Sequence, residues 1–226
     1  EPRIAIVGAT GAVGEVMLSI LAERGHPARN VRALASERSA GELVDYGNKQ
    51  LVVGDLAEFD FTSVDYALFS AGGAVSKQYA PQAAEAGAVV IDNTSGYRKR
   101  NIIANPNCST IQMLVALAPI QRAVGIARIN VATYQSVSGA GRRGLHELAT
   151  QTAARLSFQE IEISKFAQPI AFNVLPQIDE MLDNGYTREE MKMVWETQKI
   201  FADPNVLVNA TAVRVPVFFG HSEAVH

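Results

Sequence analysis

The stretch Gly8-Ala9-Thr10-Gly11-Ala12-Val13-Gly14 stands between an apolar run, Arg3 to Val7, and a helically spaced segment, Val13 to Arg24. A glycine-rich turn that passes a strand directly into a helix is the first corner of a βαβ unit, so a chain that starts this way is steered toward a parallel sheet covered by helices. Glycines permit the tight turn and let backbone N–H groups approach a phosphate at the positive end of the helix. The spacing is G-x-x-G-x-x-G, a variant of the more common G-x-G-x-x-G dinucleotide fingerprint. Gly8, Thr10, Gly11, Ala12 and Val13 are therefore candidate cofactor contacts.

The rest of the first half keeps this alternation. Val31 to Ala35, Leu51 to Val53, Tyr66 to Ser70 and Ala88 to Asp92 read as strands, and Ser76 to Ala86 reads as a helix with Ser76 as its N-cap. Gly25 and Gly87 are placed as helix stops. From Asn105-Pro106-Asn107 the pattern changes. A helix is predicted over Ser109 to Val124, a strand over Arg128 to Gln135, then a glycine-rich loop, Ser138-Gly139-Ala140-Gly141. Helices follow over Leu145 to Leu156 and Arg188 to Lys199, the latter with Thr187 and Glu190 spaced as a capping box. Strands around Val206 to Val208 and Ala210 to Val217 come last. The expected fold is α/β: a Rossmann-type parallel-sheet domain over residues 1–105, followed by an α+β domain over 106–226.

Composition narrows the partners. Lys plus Arg number 20 against 23 Asp plus Glu, a net charge of −3, so the cationic excess that a nucleic-acid footprint needs is missing. Hydrophobic residues at 48% and charged ones at 19% suit a core-forming chain rather than a disordered one. No apolar run approaches the ~18 residues of a membrane span. Glu1 to Val7 lacks the pattern of a secretory leader, and the single cysteine excludes an intramolecular disulfide. A cytoplasmic protein without membrane or nucleic-acid partners, and without a metal site, is expected.

After the second strand comes Ser36-Glu37-Arg38-Ser39-Ala40-Gly41. An acidic residue here commonly meets the ribose hydroxyls of NAD, whereas a guanidinium flanked by hydroxyls suits a 2′-phosphate. Ser36, Arg38 and Ser39 thus favour NADP, and Ser70, Ala71 and Gly72 lie where another strand end would meet the same cofactor. The only cysteine, Cys108, falls in the first turn of a predicted helix, a position expected to stabilise its thiolate and lower its pKa. It reads as a nucleophile. His26, His146 and His226 have no motif around them and read as surface or packing residues.

Taken in order, the glycine loop, Ser36 to Gly41, Asn105-Pro106-Asn107-Cys108-Ser109-Thr110, Tyr134-Gln135-Ser136-Val137-Ser138-Gly139-Ala140-Gly141, Glu189-Glu190-Met191-Lys192, and Arg214 followed by His221 resemble bacterial aspartate-β-semialdehyde dehydrogenases. The resemblance implies NADP-dependent conversion of β-aspartyl phosphate into aspartate semialdehyde and phosphate. That reaction is an early step toward lysine, threonine, methionine and diaminopimelate. It implies Cys108 as the acylated nucleophile, Gln135 as a substrate-positioning group and His221 as general acid/base. Arg214 would hold the substrate carboxylate and Glu189 its ammonium group. Arg98, Asn107 and Lys192 would surround the phosphate, and Ser138 and Gly139 would reach the nicotinamide side. The second domain becomes catalytic and dimer-forming, in a homodimer or a pair of dimers.

Glu189 and Lys192, three apart, share one helix face. Arg214 and His221 are seven apart, which on one unbroken strand sends them to opposite faces, so a break at Pro216 and Gly220 is required. Relative to that family the sequence lacks a segment between Arg98 and Asn105 and the residues that follow His226, so it is expected to be incomplete at its C-terminus. Two other readings stay open: an N-acetyl-γ-glutamyl-phosphate reductase, and a noncatalytic NADP-binding paralogue.

Overall fold

The computed structural model describes residues 1–93 and 101–226, which form two compact units, Glu1–Asn105 and Pro106–His226. The first contains, in chain order, β1 (Ile4–Val7), α1 (Ala12–Glu23), β2 (Val31–Ala35), β3 (Leu43–Tyr46), β4 (Lys49–Asp55), β5 (Tyr66–Phe69), α2 (Gly73–Glu85), β6 (Val89–Asp92) and β7 (Ile102–Ala104). Among the described residues these strands make one sheet in the order β3-β4-β2-β1-β5-β6-β7, parallel except where β3 meets β4. Strand β1 lies at its centre, between β2 and β5. Ala5 and Val7 enter one core with Phe69, Ala80 and Ala83, while Ile4 and Ile6 enter the other with Leu18, Val31 and Val53. A central parallel strand is buried on both faces, which is why its sequence is apolar throughout rather than alternating.

The reversal of strand order at β1 places the glycine loop at a switch point, where open α/β sheets bind ligands. Gly8, at φ 90, turns its N–H to the Leu34 carbonyl at 2.8 Å. Gly14 has a different reason. A Cβ on it would stand 2.1 Å from the Gly8 carbonyl oxygen, so only hydrogen lets α1 press against its own loop. Gly14→Ala is expected to lower unfolding free energy by about 3 kcal/mol, read from the denaturant midpoint, because backbone rather than a flexible side chain must give way.

Two sequence expectations change here, and strands β3 and β7 appear that were not expected. Ser76 is not a cap: α2 begins at Gly73, after Gly72 at φ 90, and Ser76 lies inside the helix, fully buried, donating to Asp92 Oδ1 at 2.8 Å. The glycine pair lets the helix start earlier than its periodicity suggests. The strand expected at Leu51 to Val53 is the middle of β4, whose hairpin with β3 turns on the two residues Gly47-Asn48. That dipeptide was a readable hairpin signal. Strand β7, three residues long, gave no usable period.

The second unit contains α3 (Cys108–Val124), β8 (Arg128–Gln135), α4 (Gly141–Leu156), α5 (Arg188–Ile200), β9 (Leu207–Arg214) and β10 (Ser222–Val225). Its strands are ordered β10-β8-β9, with β9 parallel and β10 antiparallel to β8. Along β8, Ile129, Val131, Thr133 and Gln135 are buried. Ile129 and Val131 pack with Met113 and Leu114 of α3, Met193 of α5 and Ala210 of β9. The two strands expected at 206–208 and 210–217 are one strand, because Asn209 pairs in register with Asn130; it ends at Arg214, shortly before Pro216. Helix α4 starts at Gly141, a turn before the expected Leu145, and β10 was not foreseen. Thr187 and Glu190 do form the capping box of α5. Among the described residues no helix is long and apolar enough to cross a membrane.

Candidate active site

Helix α3 opens at Cys108 behind its N-cap, Asn107, whose Oδ1 accepts from the Ser109 and Thr110 N–H groups at 3.0 and 3.2 Å. Helix α5 grips the same residue twice. Asn107 donates its backbone N–H to Glu196 Oε2 at 2.7 Å and its side-chain amide to Glu189 Oε1 at 2.8 Å. Further along α3, Gln112 donates to Glu223 Oε1 at 2.7 Å and so fastens this helix to β10.

Cys108 keeps solvent access, yet its thiol is raised above its ordinary value, not lowered as its position at a helix start suggested. Desolvation is the largest cause and the negative charge of Glu189 the next; the Ser109 N–H and the Arg214 charge pull the other way and lose. In the free protein, alkylation of Cys108 is expected to follow a pH profile displaced upward from that of a simple thiol. Glu189→Gln should shift the profile back down. A profile that ignores this substitution would remove Glu189 from the sulfur's electrostatics.

Arg214 is the last residue of β9 and 7% exposed; its Nη1 donates to the Ser136 carbonyl at 2.8 Å. His221 accepts the Ser136 N–H at Nδ1, at 3.0 Å. One peptide residue thus anchors both side chains. The required break is present: β9 stops, the chain passes Pro216, Gly220 takes φ 84, and β10 begins only at Ser222. A Cβ on Gly139 would lie 3.0 Å from Arg214 Nη1 and 3.8 Å from His221 Nε2, so both groups reach the same point. Because a backbone amide only donates, Nδ1 carries no proton and the neutral ring holds its hydrogen at Nε2. Burial holds His221 below its ordinary pKa; the Gly220 backbone opposes this, the Arg214 charge adds to it, and the Glu189 charge opposes it least.

Lys192 lies beside Glu189 as the helix spacing required, 3.2 Å from Glu189 Oε2 and 2.9 Å from Asp179 Oδ2. Burial opposes its charge, but the hydrogen bond to Asp179 and the charges of both acids outweigh this and hold the ammonium above its ordinary value. Gln135 is buried beside Arg214 in the strand register and turns Nε2 to Thr133 Oγ1 at 3.2 Å. Ser138 meets Ser136 through their hydroxyls at 2.9 Å. Arg98 lies outside the described residues. Asp179, Ser136 and Glu196 were not singled out from the sequence. Only Ser136, inside a quoted motif, carried any signal.

In the first unit a cleft of about 710 Å³ opens at the sheet's switch point. Gly8, Thr10, Gly11, Ser36, Arg38 and Ser39 line it, joined by Ser70 and Ala71. Ala12, Val13 and Gly72, at the starts of α1 and α2, are not among its lining residues. Glu37, Asp55 and Glu58 also line it, which the sequence reading had not assigned. The volume and the half-buried glycine backbone of Gly8 and Gly11 in its wall fit a dinucleotide.

The sequence profile of the semialdehyde dehydrogenase NAD binding domain matches residues 3–137, and that of the semialdehyde dehydrogenase dimerisation domain matches residues 117–226. Glycine-loop sheet and cysteine-bearing second unit therefore define a semialdehyde dehydrogenase. Among curated relatives, the aspartate-semialdehyde dehydrogenase of Legionella pneumophila is 58% identical, with 99% of this chain and 71% of that protein covered. Aspartate-semialdehyde dehydrogenase 2 of Vibrio cholerae is 59% identical over 99% of this chain and 73% of its own length. The crystal structure of the Vibrio cholerae aspartate semialdehyde dehydrogenase II complexed with ASA superposes with a TM-score of 0.96 at 57% identity, covering 100% of this chain and 73% of that one. The chain belongs to the aspartate-semialdehyde dehydrogenase family. Alignment to the Legionella protein runs over 245 positions against the 226 residues here, so that relative carries residues within the matched span that this chain lacks.

Proposed function

We propose that the protein converts β-aspartyl phosphate to aspartate semialdehyde and phosphate with NADPH, through a thioester on Cys108, in the biosynthesis of lysine, threonine, methionine and diaminopimelate. The observation that carries this reading is the meeting, in one unit, of a helix-opening thiol with Glu189 and Arg214, whose charges both act on it, and with His221, which shares an anchor with Arg214. An acid and a guanidinium together suit the ammonium and carboxylate of an amino acid, and the thiol suits an acyl phosphate.

In this reading Arg214 holds the carboxylate and Glu189 the ammonium group, with Gln135 steadying the substrate beside Arg214. Glu189 already faces Lys192, and the substrate ammonium adds a second cation that further offsets the charge ranking next after desolvation against Cys108 ionisation, so substrate binding favours the thiolate. The thiolate attacks the acyl carbon, the C–O bond to phosphate breaks, and Lys192, Asn107 and Arg98 hold the departing dianion. When bound, reduced nicotinamide supplies a hydride to the thioester carbonyl. His221 keeps its Nε2 hydrogen for the oxygen on which negative charge develops. Collapse releases the aldehyde and returns the electron pair to sulfur.

The glycine loop, Ser70, Ala71, Ser138 and Gly139 are assigned to the cofactor, as are Ala12, Val13 and Gly72 through their helix starts. Ser36, Arg38 and Ser39 support NADP over NAD, because a guanidinium between two hydroxyls matches a phosphate. Residues 1–105 serve as the cofactor domain and 106–226 as the catalytic and dimer-forming one, in a homodimer or pair of dimers in the cytoplasm. Phosphate-dependent reduction of NADP should proceed with aspartate semialdehyde about 100-fold faster than with N-acetyl-glutamate semialdehyde, whose amine is uncharged. Arg38→Ala should lower the preference for NADP over NAD by roughly 10-fold or more. Faster turnover of the acetylated aldehyde would hand the chain to the reductase reading, and no turnover of either to the noncatalytic one.

A further inference from the structure

We propose that Glu190 is a positioning residue that sets the spacing between Glu189 and Arg214 and thereby the selectivity for an α-amino substrate. The inference rests on the reading of those two residues as the ammonium and carboxylate partners.

Glu190 is buried, and both of its oxygens are committed. Oε2 accepts from the Thr187 N–H at 2.7 Å and the Thr187 hydroxyl at 2.9 Å, which completes the capping box. Oε1 accepts from the Ala212 N–H of β9 at 3.0 Å, a contact that capping does not need. Among the described residues β9 is an edge strand, so the N–H groups on its outer side find no neighbouring strand there. Two contacts serve that side instead. Glu190 takes Ala212, and Leu175 exchanges both backbone hydrogen bonds with Arg214, at 2.9 and 2.8 Å.

Glu190 is therefore covalently next to one recognition residue and hydrogen-bonded two positions before the other. An amino acid carries its ammonium and carboxylate on a single carbon, so partners that drift apart by a fraction of an ångström lose one end of it. The chemistry at position 190 separates this role from plain capping. A capping box works with Gln as well as Glu, but only a carboxylate accepts at both ends. In Glu190→Gln the amide oxygen can keep Thr187, and the amide nitrogen then faces the Ala212 N–H, donor against donor.

The test compares Glu190→Gln with the wild-type enzyme on aspartate semialdehyde and on succinate semialdehyde, which lacks the ammonium group. The ratio of the two kcat/KM values should fall about 10-fold through a rise in the aspartate semialdehyde KM, with kcat and the NADP KM within about threefold of wild type. Both KM values and the ratio are independent of how much of a preparation is folded. A lower melting temperature with an unchanged ratio would reduce Glu190 to a structural cap and overturn the proposal. Should Glu190→Gln prove insoluble, Glu190→Asp, which keeps the charge but is one methylene too short to hold both ends, reads the same ratio. Glu189→Gln provides the separate control. If it does not move the ratio, the amino-acid reading of the site fails and takes the proposal with it; if it does and the Glu190 variants do not, the proposal alone fails.

Discussion

Cys108→Ala should lower phosphate-dependent NADP reduction by aspartate semialdehyde by about 10⁴-fold or more, because without the sulfur no thioester forms and the two-step route is closed. Cofactor affinity should stay within about twofold, since the glycine-loop cleft lies among residues of the first unit. The protein should also remain folded. Cys108 is exposed, and the cap that organises its helix comes from Asn107, not from the thiol. Rates come from initial velocities and cofactor affinity from fluorescence titration. A variant that keeps even one per cent of wild-type turnover would show that another group carries the acyl transfer.

His221→Ala should lower kcat by about 10²- to 10⁴-fold, the range for loss of a placed acid or base. Its effect on KM should be small, because the recognition charges belong to Arg214 and Glu189. In the unmodified protein the ring should titrate below the ordinary histidine value, measured by NMR of its carbon-bound protons. Charging it would put a cation into a buried setting, would require a second N–H at Nδ1, where the Ser136 amide already donates, and would add a cation beside Arg214. The neutral ring is therefore the form present through neutral pH, and protonation belongs to pH values below the ordinary range. A ring that titrates above that range would contradict the hydrogen-bond assignment at Ser136.

The parts of the fold that were legible share one property: each is announced by neighbours in sequence. Strand β1 and helix α1 follow from an apolar run and three glycines, and α5 from Thr187 and Glu190 three apart. Strands β7 and β10 are short and carry no clear period; β7 is defined by its pairing with β6, the strand just before it, and β10 by its pairing with β8, remote in the chain. The error at Ser76 came from trusting a cap preference where Gly72 and Gly73 had already started the helix. The candidate site divides in the same way. Residue types with a chemical purpose, such as Cys108 and Lys192, could be named from motifs. The direction of the Cys108 pKa could not, because helix position is local while Glu189 arrives through the fold. Asp179 was equally silent: its role shows only in the ammonium it holds, at a backbone φ of 71 that its own Oδ1 supports by accepting from the Glu180 N–H.

Main-chain atoms of Ser136 anchor both Arg214 and His221, N–H to the ring and C=O to the guanidinium, and the Ser136 hydroxyl adds a contact to the same ring nitrogen at 3.2 Å. Proline alone would remove that N–H, and no exchange at 136 removes the C=O. The distance between cation and imidazole is therefore shielded from most point mutation, and an engineer who wished to widen it for a bulkier aldehyde would have to re-route the loop itself.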